Sequence, residues 1–305
     1  MIELFARSSG MREAVGLAER VSSTDANVLI TGESGAGKDL LAAFIHSKSR
    51  RAAHPFVKID CATLPGELLE AELFGFERGA FTGAVESKAG RFEAADKGTV
   101  VLDEIAHLST DAQAKLLRVI ERREFERLGG RKTIKLDARL IALTNVDLDA
   151  AVKVGRFRED LFYRLNVINI RVPPLRERKE DLSQLVEHFL KLYSVKHGRN
   201  VKKPAADARA LLKGYDYPGN ARELANIIER AVIVATGKKL EEHDLPAGLS
   251  AAVNAQQTKP RSLAQVEAAY ISEMLAATGG NKTECARILG ISRKNLYEKI
   301  ARYKL

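Results

Sequence analysis

Over the first half of the chain, short apolar and β-branched runs alternate with longer stretches whose apolar residues recur every three to four positions. NVLI (27–30), FVKI (56–59), TVVL (99–102) and RLIAL (139–143) belong to the first kind and predict strands. Successive side chains of a strand point to opposite faces, so this apolar density predicts strands covered on both sides, as in a parallel sheet. Between them lie helical patterns. In 110–122, Ala112, Leu116, Leu117 and Ile120 fall at helical spacing, and such segments supply the crossovers of an α/β layer fold. After Pro173 and Pro174 the strand pattern stops, and 181–197, 204–213 and 220–235 show helical periodicity. The segment SAAVNAQQTKPR (250–261) has no aromatic residue and little apolar content, the composition of a linker. Beyond it the chain reads as helix, turn GGN (279–281), helix, turn GIS (290–292) and a final helix. The expected organisation is an α/β domain over 1–173, a helical domain over 174–249, a linker over 250–261 and an all-α domain over 262–305.

Composition narrows the class. At 305 residues and 33.5 kDa, two or three domains are expected. Wholly apolar stretches, such as 100–102, run to only a few residues, far short of the roughly 20 that a membrane-spanning helix needs. The N-terminus, MIELFARSSG, lacks the apolar core and cleavage site of a secretory signal, so a cytoplasmic protein is expected. Cys61 and Cys285 are far apart and belong to no metal-ligand pattern, which predicts two reduced, structural thiols. The net charge of +9 points to a polyanionic partner. Its distribution says more: 282–305 holds seven Lys or Arg against two Glu, so over half the excess sits in the last helical segment.

The first candidate chemistry lies in NVLITGESGAGKD. A glycine-rich loop, comprising Gly32, Glu33, Ser34, Gly35, Ala36, Gly37 and Lys38, connects a predicted strand to a predicted helix. In that context backbone N–H groups cradle nucleotide phosphates, the helix adds its N-terminal dipole, and Lys38 reaches the β and γ phosphates. Asp39 departs from the generic Ser or Thr, whose hydroxyl ligates magnesium. The predicted strand TVVLDE supplies the second half. Asp103 at its end is placed to hold hydrated magnesium, and Glu104 to orient and polarise an attacking water.

A third motif, GAFTGA (79–84), gives the chain an identity. With GESGAGKD (32–39), GTVVLDEI (98–105), TNVDL (144–148), GRFREDLFYRLNV (155–167), PPLRERKEDL (173–182) and YPGNARELAN (217–226), it closely resembles the sigma-54-dependent activators over nearly the whole chain. In that family an acidic residue after the P-loop lysine is usual, which Asp39 fits. The resemblance implies a AAA+ ATPase forming a ring, usually a hexamer, with ATP and Mg2+ bound between subunits. It assigns Thr144 and Asn145 to sensing the γ-phosphate, Arg158 and Arg164 to the arginine fingers, and Arg222 to a sensor in the helical lid. A guanidinium suits those tasks because it stays charged and forks onto phosphate oxygens. It also implies that Gly79, Ala80, Phe81, Thr82, Gly83 and Ala84 contact sigma-54 in RNA polymerase.

Two positions depart from the family. Asp60 stands where Asn is usual, and a second carboxylate near Glu104 would repel it or share its proton. Tyr217 replaces Trp, a packing change. The tail NKTECARILGISRKNLYEKIARY resembles the Fis-type helix-turn-helix that binds enhancer DNA. Ala286 and Leu289 are expected inward and Ser292 as a helix cap, with Ser292, Arg293, Lys294, Asn295, Tyr297 and Lys299 facing the duplex. The implied function is ATP-driven remodelling of the sigma-54 polymerase closed complex into open complex. The alternatives are a repressor that uses ATP only to assemble, which a degraded GAFTGA would favour, and a AAA+ ATPase of replication or repair. With the sequence starting at the AAA+ segment, control is expected from an inhibitory partner protein, from regulated synthesis, or from a sensing domain missing from this sequence.

Overall fold

A computed structural model describes residues 4–251 and 263–303, so 252–261 of the expected linker lie outside the described residues. Two compact units are distinguished, 1–246 and 247–305. Among the described residues no helix is long and apolar enough to cross a membrane.

In the first unit Val28–Thr31 (β1), Phe56–Asp60 (β2), Thr99–Asp103 (β3), Arg139–Thr144 (β4) and Ile168–Arg171 (β5) form one parallel sheet in the order β2-β3-β4-β1-β5. Four of these follow the predicted runs. The fifth was not anticipated: INIR alternates, and with partly buried, exposed, buried and exposed positions it reads as the edge strand it is. Register aligns the carboxyl ends, with Thr31 opposite Thr144 and Asp60 opposite Asp103. Ligands of open α/β sheets bind at that edge.

Period-two alternation divides the strand side chains between two cores. Leu29, Val100, Leu102, Leu140 and Ala142 pack with helices Gly66–Phe74, Thr110–Arg122 and Glu159–Leu165. Val28, Ile30, Val101, Ile141 and Leu143 face the other way, onto Ser9–Ser22 and Lys38–Ser47. Each Val, Leu or Ile among them stabilises the unit by about 1.5–3 kcal/mol on full burial. One polar exception is Arg139, fully buried, which donates to the carbonyls of Val21 (2.9 Å) and Ser22 (3.2 Å) and so caps the end of Ser9–Ser22.

The helical part of this unit contains Leu182–Lys196, Ala206–Gly214 and Asn220–Val234, matching the periodic segments. A two-residue parallel pairing, Lys203–Pro204 with Lys239–Leu240, is additional and too short to leave a sequence pattern. Buried Asp181 ties this part to the N-terminal segment by accepting from the Ser8 N–H and hydroxyl, both at 2.9 Å. In the second unit, Leu263–Ala277, Lys282–Ile288 and Arg293–Tyr303 enclose a small core of Ile271, Cys285, Ala286 and Leu296, with Leu289 half-buried against it.

Candidate functional site

The glycine-rich loop leaves β1 and enters the N-terminus of Lys38–Ser47. Its shape depends on missing side chains: at Gly35 (φ +74°) a Cβ would lie 2.4 Å from the Gly219 carbonyl oxygen. The buried Lys38 ammonium donates to the carbonyls of Gly32 (2.8 Å) and Glu33 (3.3 Å). Burial lowers its pKa from the ordinary lysine value, partly countered by the charges of Glu104, Asp103 and Asp39.

The carboxylates of β3 stand beside this loop. Asp103 Oδ1 accepts the Glu104 N–H (3.0 Å) and Oδ2 pairs with Lys58 Nζ (2.8 Å). The same ammonium contacts Asp39 Oδ1, so Lys58 links the first turn of the loop's helix to the end of β3. Burial opposes charge on Lys58, but the hydrogen bonds to Asp103 and Asp39 outweigh it and raise the pKa. Glu104 adopts the left-handed backbone region (φ 52°, ψ 48°), unusual for a non-glycine residue. Its Oε2 accepts the Asn145 N–H at 3.3 Å. Asp60 instead accepts the Ala62 N–H (2.9 Å), so the two carboxylates have separate partners. Thr144 is buried, with its hydroxyl accepting the Val146 N–H (3.0 Å), which leaves Asn145 as the exposed member of the pair. Among the described residues no cluster of three or more His, Cys, Asp or Glu could hold a metal unaided. The Asp103 carboxylate beside the loop suits magnesium, which takes one or two carboxylates and completes its shell with water and phosphate oxygens.

The helical part closes on the loop. Asn220, fully buried at φ 54°, accepts the Leu175 N–H (2.7 Å) and donates to Glu33 Oε2 (3.1 Å) and the Ser34 carbonyl (3.0 Å). Arg176 forks onto Glu33 at 2.8 and 2.6 Å, and Arg222 donates to Ser34 Oγ at 2.9 Å. Hydrogen bonds from Arg176 and then Asn220 hold the Glu33 pKa below the usual range. Buried Tyr217 donates to the Leu212 carbonyl (2.7 Å), consistent with a packing role.

GAFTGA lies in the crossover from β2 to β3, on a ribbon of Gly75–Phe76 with Lys88–Ala89. The Gly79 N–H donates to the Ala84 carbonyl (2.9 Å), closing a loop whose Gly83 has φ +104°. Ala84 is buried, whereas Thr82 is exposed and Phe81 is 39% exposed with its ring edge-on to Phe76 at 5.0 Å. Arg127 donates to Glu77 and Glu93, which follow the two strands of the ribbon in sequence.

Neither expected finger faces its own loop. Arg158 forks onto Asp160 (3.0 and 2.7 Å) and Arg164 pairs with Glu121 (3.1 Å), both at the surface. In the second unit, Ser292 Oγ accepts the Asn295 N–H (3.2 Å) as a cap, and Ser292, Arg293, Lys294, Asn295 and Tyr297 are exposed. Lys282 lies over the Tyr297 ring at 4.8 Å. Lys299 is half-buried, and its ammonium pairs with Glu267 at 2.6 Å.

Compared with known families, residues 4–171 match the sigma-54 interaction domain, more than half of the chain. The chain belongs to the sigma-54 interaction domain family. Residues 176–262 match the AAA+ ATPase lid domain, and 262–303 the bacterial regulatory proteins of the Fis family. Regulatory protein AtoC of Escherichia coli (strain K12) is 49% identical over 294 residues, covering 93% of this chain and 64% of AtoC. Transcriptional regulatory protein FlbD of Caulobacter vibrioides is 45% identical, covering 97% of this chain and 69% of FlbD. The crystal structure of NtrX from Brucella abortus in complex with ATP aligns with TM-score 0.78 at 35% identity, covering all of this chain (100%) and 70% of NtrX. The fold is therefore a parallel-sheet AAA+ P-loop domain followed by its lid and a Fis-type helix-turn-helix.

In this sigma-54 interaction domain and its lid, three polar residues around the loop were missed from sequence. Lys58 is the one charge inside the run FVKI, two residues before Asp60, and that interruption was the available signal. Asn220 and Arg176 lie within motifs already noted, but only their long-range partners, Glu33 and Ser34, reveal what they do.

Proposed function

We propose that the chain hydrolyses ATP and uses the reaction to drive GAFTGA against sigma-54 in promoter-bound RNA polymerase, converting closed complex to open complex. The observation that carries this reading is the insertion of GAFTGA between β2 and β3, the strands whose carboxyl ends bear Asp60 and Asp103 with Glu104. A change at the phosphates thus has a short covalent route to the loop.

The P-loop N–H groups and Lys38 bind the triphosphate, while Arg222 approaches it from the lid. Magnesium, held by Asp103 through water, would neutralise β- and γ-phosphate oxygens. Glu104 orients a water in line with the γ-phosphorus and accepts its proton as the new P–O bond forms. The bond to the β,γ-bridging oxygen breaks, releasing ADP and phosphate. Asn145, hydrogen-bonded to Glu104 through its backbone, senses the γ-phosphate, and Thr144 holds that turn in shape. Arg158 and Arg164, facing outward, complete the site of a neighbouring subunit in a ring, taken to be a hexamer. Thr82 and Phe81 meet sigma-54, and the face of Ser292, Arg293, Lys294, Asn295 and Tyr297 binds enhancer DNA.

The test is steady-state hydrolysis and equilibrium ATP binding for the intact protein and Glu104→Gln. Loss of a general base predicts kcat lower by about 10²–10⁴-fold with ATP affinity little changed. Undiminished hydrolysis in the variant would remove Glu104 from the mechanism, and no hydrolysis by the intact protein, with polymerase and DNA present, would leave a binding protein rather than an ATPase.

A further inference from the structure

Asp39 puts a carboxylate in the first turn of the P-loop helix, where a neutral hydroxyl is the generic choice, and Asp103 puts another at the end of β3. Two carboxylates there would repel an incoming triphosphate and each other. Lys58 touches both: its Nζ lies 2.8 Å from Asp103 Oδ2 and contacts Asp39 Oδ1. The other Asp103 oxygen already accepts the Glu104 N–H at 3.0 Å, so the ammonium holds the oxygen that remains. Lys58 is not a core residue, since its side chain is 39% exposed on an edge strand.

We propose that Lys58 is a positioning residue of the metal–triphosphate site, an internal counter-ion on Asp39 and Asp103 that magnesium must displace, so that this lysine sets how strongly nucleotide binding depends on magnesium. The inference rests on the nucleotide reading given above. A divalent cation and an ammonium compete for the same carboxylate, and each disfavours the other at this range. The lysine therefore supports nucleotide binding without metal and opposes metal entry.

The experiment measures equilibrium binding of ADP carrying a fluorescent ribose tag, in excess magnesium chloride and in EDTA, and reads the ratio of the two dissociation constants. Lys58→Met leaves the carboxylates uncompensated, so binding in EDTA weakens, binding in magnesium is kept, and the ratio rises about tenfold, the effect of one neighbouring charge. Lys58→Arg, which keeps the charge, stays close to the wild-type ratio. Asp39→Asn moves the ratio the other way, and Lys58→Gln, equally uncharged, takes the place of Lys58→Met if that variant does not fold. An unchanged ratio in Lys58→Met of normal melting temperature overturns the role of Lys58 and leaves nucleotide binding standing. Failure of the intact protein to bind the tagged ADP in either condition overturns both.

Discussion

Glu104 occupies a left-handed conformation that costs a non-glycine residue on the order of 1–3 kcal/mol, and it sits between Asp103 and the turn of Thr144 and Asn145. The surrounding hydrogen bonds hold it there, with Asp103 Oδ1 accepting its N–H and the Asn145 N–H reaching its carboxylate. Behind it Cys61 is buried, and burial, reinforced by the negative charges of Asp60, Asp103 and Glu104, pushes its thiol up to about 12. The thiolate is the reactive form, so iodoacetamide at pH 8 should leave Cys61 unmodified in the folded protein and label it in urea. Rapid native labelling, read by mass spectrometry, would contradict that environment. Asn220 is the residue most exposed to substitution. Alanine would delete its bonds to Leu175, Glu33 and Ser34 and would occupy φ 54°, where a non-glycine residue is disfavoured. Asn220→Ala is expected to cost about 2–4 kcal/mol in urea unfolding, whereas a loss below about 0.5 kcal/mol would mean the lid does not depend on it.

At the scale of elements, the lid is joined to the P-loop by polar contacts of Asn220, Arg176 and Arg222, and by the Ala221 N–H donating to the Gly35 carbonyl at 3.1 Å. The close approach explains the demand for glycine at position 35. A methyl there would meet the Gly219 carbonyl, so Gly35→Ala should weaken ATP binding by at least about tenfold, given the strain of an L side chain at that φ. Wild-type affinity in a titration calorimeter would show that loop and lid separate freely. The strands β1 to β4 and the long helices were legible because their apolar residues are dense or recur every three to four positions. β5 was not, since an edge strand buried on one side alternates apolar with polar residues. The P-loop, and the place of Asp103 and Glu104 beside it, were legible because phosphate chemistry restricts residue type at fixed spacing. Lys58 and the partners of Glu33 were not, since their roles come from contacts between segments far apart in the chain. The Lys299 ion pair was illegible for a related reason: its partner Glu267 lies on another helix.

At the scale of the whole molecule, the two proposed functions fall in separate units: the P-loop and GAFTGA in 1–246, and the basic helix-turn-helix in 247–305. Replacing Arg293 and Lys294 by alanine should weaken enhancer binding and lower the slope of log affinity against log salt by about one for each DNA phosphate that is no longer neutralised. ATPase activity in the absence of DNA should be unaffected, and an unchanged slope in a filter-binding assay would place the DNA-binding face elsewhere. The central claim, that hydrolysis acts through GAFTGA on sigma-54, is tested most directly by open-complex formation at a sigma-54 promoter. The intact protein with ATP is expected to open the promoter, and Thr82→Ala and Glu104→Ala to leave it closed. Promoter opening by either variant, or none by an intact protein that hydrolyses ATP and binds the enhancer, would contradict the account.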